Sequence, residues 1–133
     1  MDGILGIGVD IVDIERVKRL LDLYDIRFLS RVFTENESRY AMESVNSAER
    51  LAGRFAVKEA VLKALGTGKT GGILWQDIET MRGPSGKPVV RLHGQAVRWV
   101  KWKGGGPVHV SISHDAGKAI AFVIIESAGR VKE

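Results

Sequence analysis

The residues best suited to chemistry lie in the segment 54–68, which reads RFAVKEAVLKALGTG. Glu59 and Lys63 stand four positions apart, so on a helix their side chains share one face. Gly66 follows and suits the left-handed position that ends a helix. A carboxylate, an ammonium and a glycine-rich exit fit a site for a metal-bound phosphate. The same pattern is typical of an exposed Glu–Lys pair worth only ~0.2–0.5 kcal/mol, and the segment alone favours that simpler interpretation.

A second acidic residue, Asp10, interrupts the apolar run IGVDIV. A carboxylate in a buried strand costs free energy unless it is paired or bound to a metal. A salt bridge to a basic residue such as Lys58, a helix N-cap and a metal site are the three interpretations. Asp13 is the better N-cap for the helix that follows, which leaves Asp10 available. Asp10 and Glu59 together would suit Mg²⁺, which prefers oxygen ligands and completes its coordination with water and substrate phosphates.

The elements that position these side chains can be predicted from periodicity. Residues 4–11 mix β-branched residues with glycines, which predicts a buried strand that another backbone approaches closely. Apolar residues then recur at helical spacing over 14–24. This pattern predicts a short amphipathic helix with Arg16, Lys18 and Arg19 turned largely towards water.

Two capping signals predict further helices. Thr34 and Glu37 form a capping box, so a second helix should begin just after Thr34. Asn46 and Glu49 repeat the device ahead of the longest helix, which is predicted over 47–65. The candidate carboxylate and ammonium lie on this last helix.

Strand signals dominate the C-terminal half. The run ILWQDIETM, the turn residues GPSGKP and the run VVRLHG predict a hairpin. A short helix is predicted over 95–103, and GGGP ends it. VHVSIS and AIAFVIIE predict a second hairpin joined by HDAGK. One strand, three helices and then mostly strands imply an α+β fold with an antiparallel sheet.

Composition restricts the class of protein. A chain of 133 residues fits one domain, so we expect a single domain over 1–133. The absence of cysteine excludes disulfides, thiolate metal sites and cysteine nucleophiles. No apolar run approaches the roughly 18 residues of a membrane span, and the N-terminus lacks signal-peptide character, so we expect a cytoplasmic protein. Residues 67–133 carry ten basic and five acidic residues, which makes an anionic partner plausible.

Three further motifs carry weaker signals. GTGKTGG contains GKT, but Lys63 stands where a Walker motif needs glycine, and the loop follows a helix instead of a strand. A phosphate-binding nest and a flexible connection both remain open for this loop. RWVKWK resembles a nucleic-acid surface, yet the three-residue spacing of Trp99 and Trp102 favours a half-buried helix face. His114 directly follows a predicted strand, where a lone histidine is more often structural.

The motifs GIGVDIVDIERV, FTENE, LAGRFAVKEAVLKALGTG and HVSISHD occur in this order. Together they resemble the bacterial holo-acyl-carrier-protein synthase family of 4′-phosphopantetheinyl transferases, from about residue 5 to residue 125. The resemblance implies that family's fold, an antiparallel sheet packed with a long central helix and shorter helices. It also implies transfer of 4′-phosphopantetheine from coenzyme A (CoA) to a serine of apo acyl carrier protein, with release of adenosine 3′,5′-bisphosphate, for fatty acid biosynthesis.

The same resemblance implies catalytic roles. Asp10 and Glu59 match the family's magnesium ligands, so Mg²⁺ would grip the CoA pyrophosphate and neutralise charge on the attacked phosphate and the leaving group. Lys63 would hold the pyrophosphate as a point charge, with a benefit that grows in the transition state. Glu59, directly or through a water on the metal, is the candidate base for the serine proton.

Other residues match substrate contacts of the family. Positions that contact CoA in the family are matched by Arg54, Gly66 and His114. Arg16 matches the family's docking arginine. With Lys18, Arg19 and Arg27 it offers positive charge to an acidic helix of the carrier protein. The family is typically a homotrimer with a site at each subunit interface. RWVKWK is more basic and aromatic than the family pattern in that region.

A competing hypothesis comes from a different class of protein. The basic C-terminal half would also suit a non-catalytic module that binds acidic protein or nucleic acid. The transferase hypothesis instead predicts CoA and apo carrier protein as partners, with no nucleic acid and no membrane.

Overall fold

Two antiparallel sheets and five helices make up the computed structural model, which describes residues 3–129. The elements in chain order are β1 (Ile4–Asp13), α1 (Ile14–Tyr24), α2 (Ile26–Val32), α3 (Glu35–Met42), α4 (Ser47–Leu65), β2 (Ile78–Arg82), β3 (Pro88–Leu92), α5 (Gly94–Trp102), β4 (Gly105–Asp115) and β5 (Lys118–Ser127). The predicted α+β class and both predicted hairpins are confirmed. None of the helices in this part of the chain combines the length and apolar character of a membrane span.

The larger sheet has the strand order β1-β5-β4, with antiparallel pairing throughout, while β2 and β3 form a separate pair. A two-residue turn joins β4 to β5, with positive φ at Ala116 (51°) and Gly117 (77°). Such a turn matches the twist of the flanking strands. His114 therefore lies within β4, opposite Ala119, and not beyond the end of the strand as predicted.

The long helix α4 packs directly against β1. A Cβ atom built on Gly8 would lie 2.8 Å from the carbonyl carbon of Ala60, and one built on Gly6 would lie equally close to that of Ala64. Only glycine in the strand and small residues on the helix permit this approach. The predicted close backbone contact is confirmed, and it brings Asp10 of β1 alongside α4.

The opposite side of β1 is not buried, so the prediction of a buried strand is correct for one face and wrong for the other. Exposure is 54% for Ile7, 49% for Val9 and 62% for Ile11. Phe122 pairs with Val9 across the sheet and is 43% exposed. Side chains alternate along a strand, so α4 covers only one of its two faces. We call these four residues the apolar sheet face.

The capping box at Thr34 is confirmed. The Thr34 hydroxyl accepts from the Glu37 amide at 3.2 Å, and the Glu37 carboxylate accepts from the Thr34 amide at 3.0 Å. The second predicted box is wrong, because the Asn46 side chain makes no capping hydrogen bond. Its backbone lies at φ −96° and ψ 45°, away from the extended conformation that a capping side chain normally needs. The helix it was expected to open nevertheless spans Ser47–Leu65.

Other element ends differ modestly from expectation. Gly66 ends α4 in the left-handed conformation, as predicted, with φ 76° and ψ 12°. The seven-residue helix α2 was not predicted, because two turns are too short for periodicity to stand out. β2 begins at Ile78, since the preceding residues form a single 3₁₀ turn over Trp75–Asp77.

Candidate active site

Asp10, Glu59 and Lys63 line one pocket of about 450 Å³ beside β1, α1 and α4. The Lys63 Nζ atom donates to Asp10 Oδ1 at 2.9 Å and to the Val9 carbonyl at 3.1 Å. The Lys63 side chain is 54% exposed and that of Asp10 15%. The structure thus brings together the two predicted metal ligands and the predicted pyrophosphate-binding lysine.

Electrostatics in this pocket favour a bound cation. Burial raises the pKa of Glu59, and the negative charge of Asp10 raises it further against the opposing effect of Lys63. The hydrogen bond and charge of Asp10 raise the pKa of Lys63. The negative charges of Asp10 and Glu59 therefore repel each other, and added positive charge would relieve that repulsion.

The donor set fits magnesium. Among residues 3–129, no group of three or more His, Cys, Asp or Glu side chains is arranged to hold a metal ion. A structural zinc site needs such a set, whereas Mg²⁺ is commonly held by one or two carboxylates with water and substrate phosphates. Asp10 and Glu59 provide this smaller set of oxygen ligands.

Lys58 is not the partner of Asp10, so that interpretation is wrong. Its side chain is fully buried and donates to Glu37 Oε1 at 2.7 Å and to the Trp75 carbonyl at 3.0 Å. The other Glu37 oxygen accepts from the Thr80 amide at 2.9 Å. Burial lowers the pKa of Lys58 despite the opposing effect of Glu37. The capping box already explained the presence of Glu37 in the sequence, so its ion pair with Lys58 was not predicted.

Further charged and apolar residues complete the pocket. Arg16 and Lys118 line it, and the Lys118 ammonium lies 3.6 Å from the Asp13 carboxylate. Lys118 was missed because its proximity follows from the β1–β5 register, which places it opposite Asp13. An apolar wall is formed by Leu20, Phe28 and Phe55.

The predicted docking residues follow α1 and α2. Arg16, Lys18 and Arg19 are exposed on α1, as predicted. Arg27 is exposed on α2 and lines a separate pocket with Tyr24 of α1 and other residues of α2. Only Arg16 of the four lies at the pocket that contains the carboxylates.

Arg54 and His114 line a different pocket, of about 340 Å³, which shares no lining residue with the first. Arg54 and Glu59 are five positions apart on α4, so they point roughly 140° apart around the helix axis. The His114 imidazole lies 3.2 Å from the Glu49 carboxylate. Gly66 lines neither pocket. Of the residues matched to CoA contacts, Arg54 and His114 therefore share one pocket, whereas Lys63 lines the other and Gly66 lines neither.

The RWVKWK segment forms the end of α5. Trp99 is half-buried, its Nε1 donates to the Gly71 carbonyl at 3.1 Å, and its ring packs edge-on against Trp102 with 5.4 Å between centroids. The prediction of a half-buried helix face is therefore confirmed for Trp99. It is wrong for Trp102, whose side chain is 77% exposed.

Residues 6–121 match the family model of the 4′-phosphopantetheinyl transferase superfamily. The match covers most of the chain, including both pockets. The chain therefore belongs to the 4′-phosphopantetheinyl transferase superfamily.

Relatives in this superfamily are holo-[acyl-carrier-protein] synthases. The chain is 44% identical to that of Koribacter versatilis, with 92% of this chain and 98% of the relative covered. The crystal structure of the Neisseria meningitidis synthase superposes with a TM-score of 0.85 at 33% identity, covering 93% of this chain and 99% of that one. The Helicobacter pylori synthase in complex with coenzyme A gives 0.78 at 32% identity, covering 90% and 98%. The family resemblance and the predicted fold are confirmed.

Proposed function

We propose that this chain transfers 4′-phosphopantetheine from coenzyme A to a serine of apo acyl carrier protein, with Mg²⁺ held by Asp10 and Glu59. The observation that carries the proposal is the pocket that joins these carboxylates to Lys63 and Arg16. The CoA complex of the Helicobacter pylori synthase supports CoA as the substrate. Location in the cytoplasm and supply of holo carrier protein for fatty acid biosynthesis belong to the same proposal and rest on the family resemblance.

The reaction joins the serine oxygen to the phosphorus that carries pantetheine and breaks the bond to the other phosphate of the pyrophosphate. Adenosine 3′,5′-bisphosphate leaves with the bonding electrons. Bound Mg²⁺ would supply Lewis-acid stabilisation of charge on the phosphates. The Lys63 ammonium would donate hydrogen bonds to the pyrophosphate, and these would replace part of its contact with Asp10. Glu59, directly or through a water, would accept the serine proton.

Mass spectrometry tests this function directly. Purified protein incubated with CoA, Mg²⁺ and an apo carrier protein should raise the mass of the carrier by one phosphopantetheine group. The absence of a mass shift with several carriers would contradict the proposal. Salt-sensitive retention on DNA or RNA would then favour the alternative binding module, since phosphate contacts release counterions.

Arg16 lines the pocket that contains Asp10 and Glu59, and it also belongs to the proposed docking surface on α1 and α2. Arg16→Glu should raise the KM for carrier protein about tenfold or more and leave CoA binding unchanged, because charge reversal repels an acidic helix. Steady-state kinetics with each substrate varied in turn measures both effects. Arg91→Glu makes the same charge change at an exposed position of β3, outside α1 and α2, and is the comparison variant that should leave this KM unchanged. An unchanged KM for carrier protein in the Arg16 variant would refute its docking role.

We also propose the homotrimer with its sites at subunit interfaces. The apolar sheet face supports it, because a contiguous exposed apolar patch is typical of an interaction surface. The separation of the two pockets supports it as well. Arg54 and Glu59 of one chain point in different directions. In a trimer, one CoA molecule would contact the Glu59 pocket of one copy and the Arg54 pocket of its neighbour.

Phe122→Glu should dissociate the trimer, since the charge would be buried against a neighbouring copy. Light scattering should then give a mass near that of one 14.6 kDa chain, against three chains for the unmodified protein. Transfer should fall in parallel. Val89→Glu provides the matched control, because Val89 is 47% exposed on the other sheet. A trimeric Phe122→Glu variant would exclude the apolar sheet face as the interface, and a monomeric unmodified protein would exclude the trimer.

A further inference from the structure

The segment GTGKTGG over 66–72, which we call the glycine loop, turns back along α4 after that helix ends. Its direction follows from the residue that comes shortly after it. The Trp75 ring packs against that of Phe55 with 5.1 Å between centroids, and Phe55 belongs to the apolar wall of the pocket proposed for the reaction. The chain therefore leaves α4 at its C-terminal end and returns to the level of Phe55. The glycine loop lies between these two points, beside the part of α4 that carries Glu59 and Lys63.

The glycine loop carries one charged side chain, that of Lys69. Its Nζ atom lies 5.3 Å from the centroid of the Trp75 ring, which is within the range of a cation–π contact. Lys69 is exposed, and it forms no ion pair with any carboxylate of residues 3–129. The ring thus holds the ammonium near the aromatic wall of the pocket and leaves its positive charge available to an anion.

A tryptophan of α5 anchors the glycine loop. The Trp99 Nε1 atom donates to the Gly71 carbonyl at 3.1 Å. In the described part of the chain, this is the one hydrogen bond between the loop and an element other than α4. Gly71 has a φ of 65°, and a Cβ atom built on it would lie 2.4 Å from the indole nitrogen. A side chain there would have to displace the indole, so glycine permits an anchor two residues from Lys69.

The backbone of the glycine loop favours phosphate over other anions. Four of its exposed amides donate to no acceptor within the described residues, those of Gly68, Lys69, Gly71 and Gly72. Free N–H groups on a glycine-rich turn, combined with a lysine ammonium, are typical of a site that binds phosphate oxygens. The neighbouring Lys63 is proposed to bind the pyrophosphate of CoA. A ligand that contacts Lys63 would therefore bring its phosphates close to the loop.

We propose that Lys69 is a further residue that binds the phosphates of CoA, and that Trp99 is a positioning residue that fixes the glycine loop for this contact. The inference rests on the proposed function for the identity of the substrate. It gives a phosphate-binding role to a loop that lacks the Walker pattern. It also gives α5 an effect on substrate binding, because Trp99 acts through the loop without touching CoA.

Steady-state kinetics with CoA and carrier protein varied in turn tests the role of Lys69. Lys69→Gln should raise the KM for CoA about tenfold, the effect of losing one charged hydrogen bond, and leave the KM for carrier protein unchanged. Lys69→Arg keeps the charge and should retain most of the affinity. Lys101→Gln removes an exposed lysine of α5 outside the loop and is the matched control. An unchanged KM for CoA in Lys69→Gln, or a rise in the KM for carrier protein instead, would overturn the proposal.

The role of Trp99 predicts a change in KM with little change in kcat. Trp99→Leu should raise the KM for CoA about fivefold, the effect of losing one neutral hydrogen bond, while kcat at saturating CoA stays close to that of the unmodified protein. Trp102→Leu removes the neighbouring exposed indole and should leave this KM unchanged. Gly71→Ala should raise the KM less in the Trp99→Leu background than alone, since the indole it would displace is absent. A lower Tm in Trp99→Leu with an unchanged KM would show a purely structural role and refute the positioning role.

Isothermal titration calorimetry with CoA, in the absence of carrier protein, gives a second readout that needs no turnover. The Kd for CoA should rise in Lys69→Gln and in Trp99→Leu by factors similar to those for KM. Normal CoA binding by both variants, together with phosphopantetheine transfer by the unmodified protein, would refute only the role of the glycine loop. Weaker CoA binding by both variants, together with no transfer by the unmodified protein, would refute only the proposed function.

Discussion

Asp10→Ala and Glu59→Ala should each abolish phosphopantetheine transfer while leaving the fold intact. Each variant removes one of the two carboxylates proposed to hold Mg²⁺, and a catalytic metal contributes several kcal/mol to the transition state. A loss of about 4 kcal/mol corresponds to roughly a thousandfold fall in rate. The carrier mass-shift assay measures transfer, and circular dichroism checks the fold. Full activity in either variant would remove that residue from the site.

Isosteric variants distinguish a metal ligand from a partner of Lys63. Asp10→Asn keeps an oxygen that can accept from Lys63 but loses the charge that a cation needs. We expect it to be nearly as inactive as Asp10→Ala. Asp13→Asn is the control from the same pocket, since asparagine caps a helix as well as aspartate does, and its activity should fall by no more than a few fold. Removal of divalent cations with EDTA should stop transfer by the unmodified protein, and added Mg²⁺ should restore it.

Gly8→Ala should strongly destabilise the protein, because it adds a methyl group to the face of β1 that packs against α4. The new Cβ would lie 2.8 Å from the Ala60 carbonyl carbon and 2.9 Å from the Ala64 amide nitrogen. These are backbone atoms of a buried helix, so they cannot rotate away as a side chain would. We expect a loss of about 3 kcal/mol or more in the free energy of unfolding. The corresponding fall in Tm is about 10 °C or more.

Gly106→Ala provides a matched comparison from β4 of the same sheet. A Cβ there would meet its nearest neighbour, the Ala128 Cα atom, at 3.4 Å, which is an ordinary van der Waals distance. We expect its stability to change by less than about 1 kcal/mol. Chemical denaturation of both variants measures the difference. Equal stability of the two would show that β1 and α4 can move apart and that Gly8 does not set the position of Asp10.

Local features of the structure were largely predictable from the sequence. The Thr34 capping box, the Asp13 N-cap and the left-handed end of α4 depend on residues within four positions of one another. Asn46 is the exception, because its backbone conformation, not its residue type, prevents the cap. The buried face of β1 was indicated by its glycines, whereas nothing in the local pattern showed that the other face stays exposed.

The sequence by itself determined the family, the main elements and three candidate residues, Asp10, Glu59 and Lys63, that the structure brings into one pocket. It did so because local spacing on a helix and a specific set of motifs carry that information. Only the tertiary structure decided that Asp10 bonds Lys63 while Lys58 bonds Glu37, since these pairs join residues 53 and 21 positions apart. It also decided that Arg54 and Glu59 open onto different pockets, because their separation around α4 matters only once neighbouring elements pack against each side.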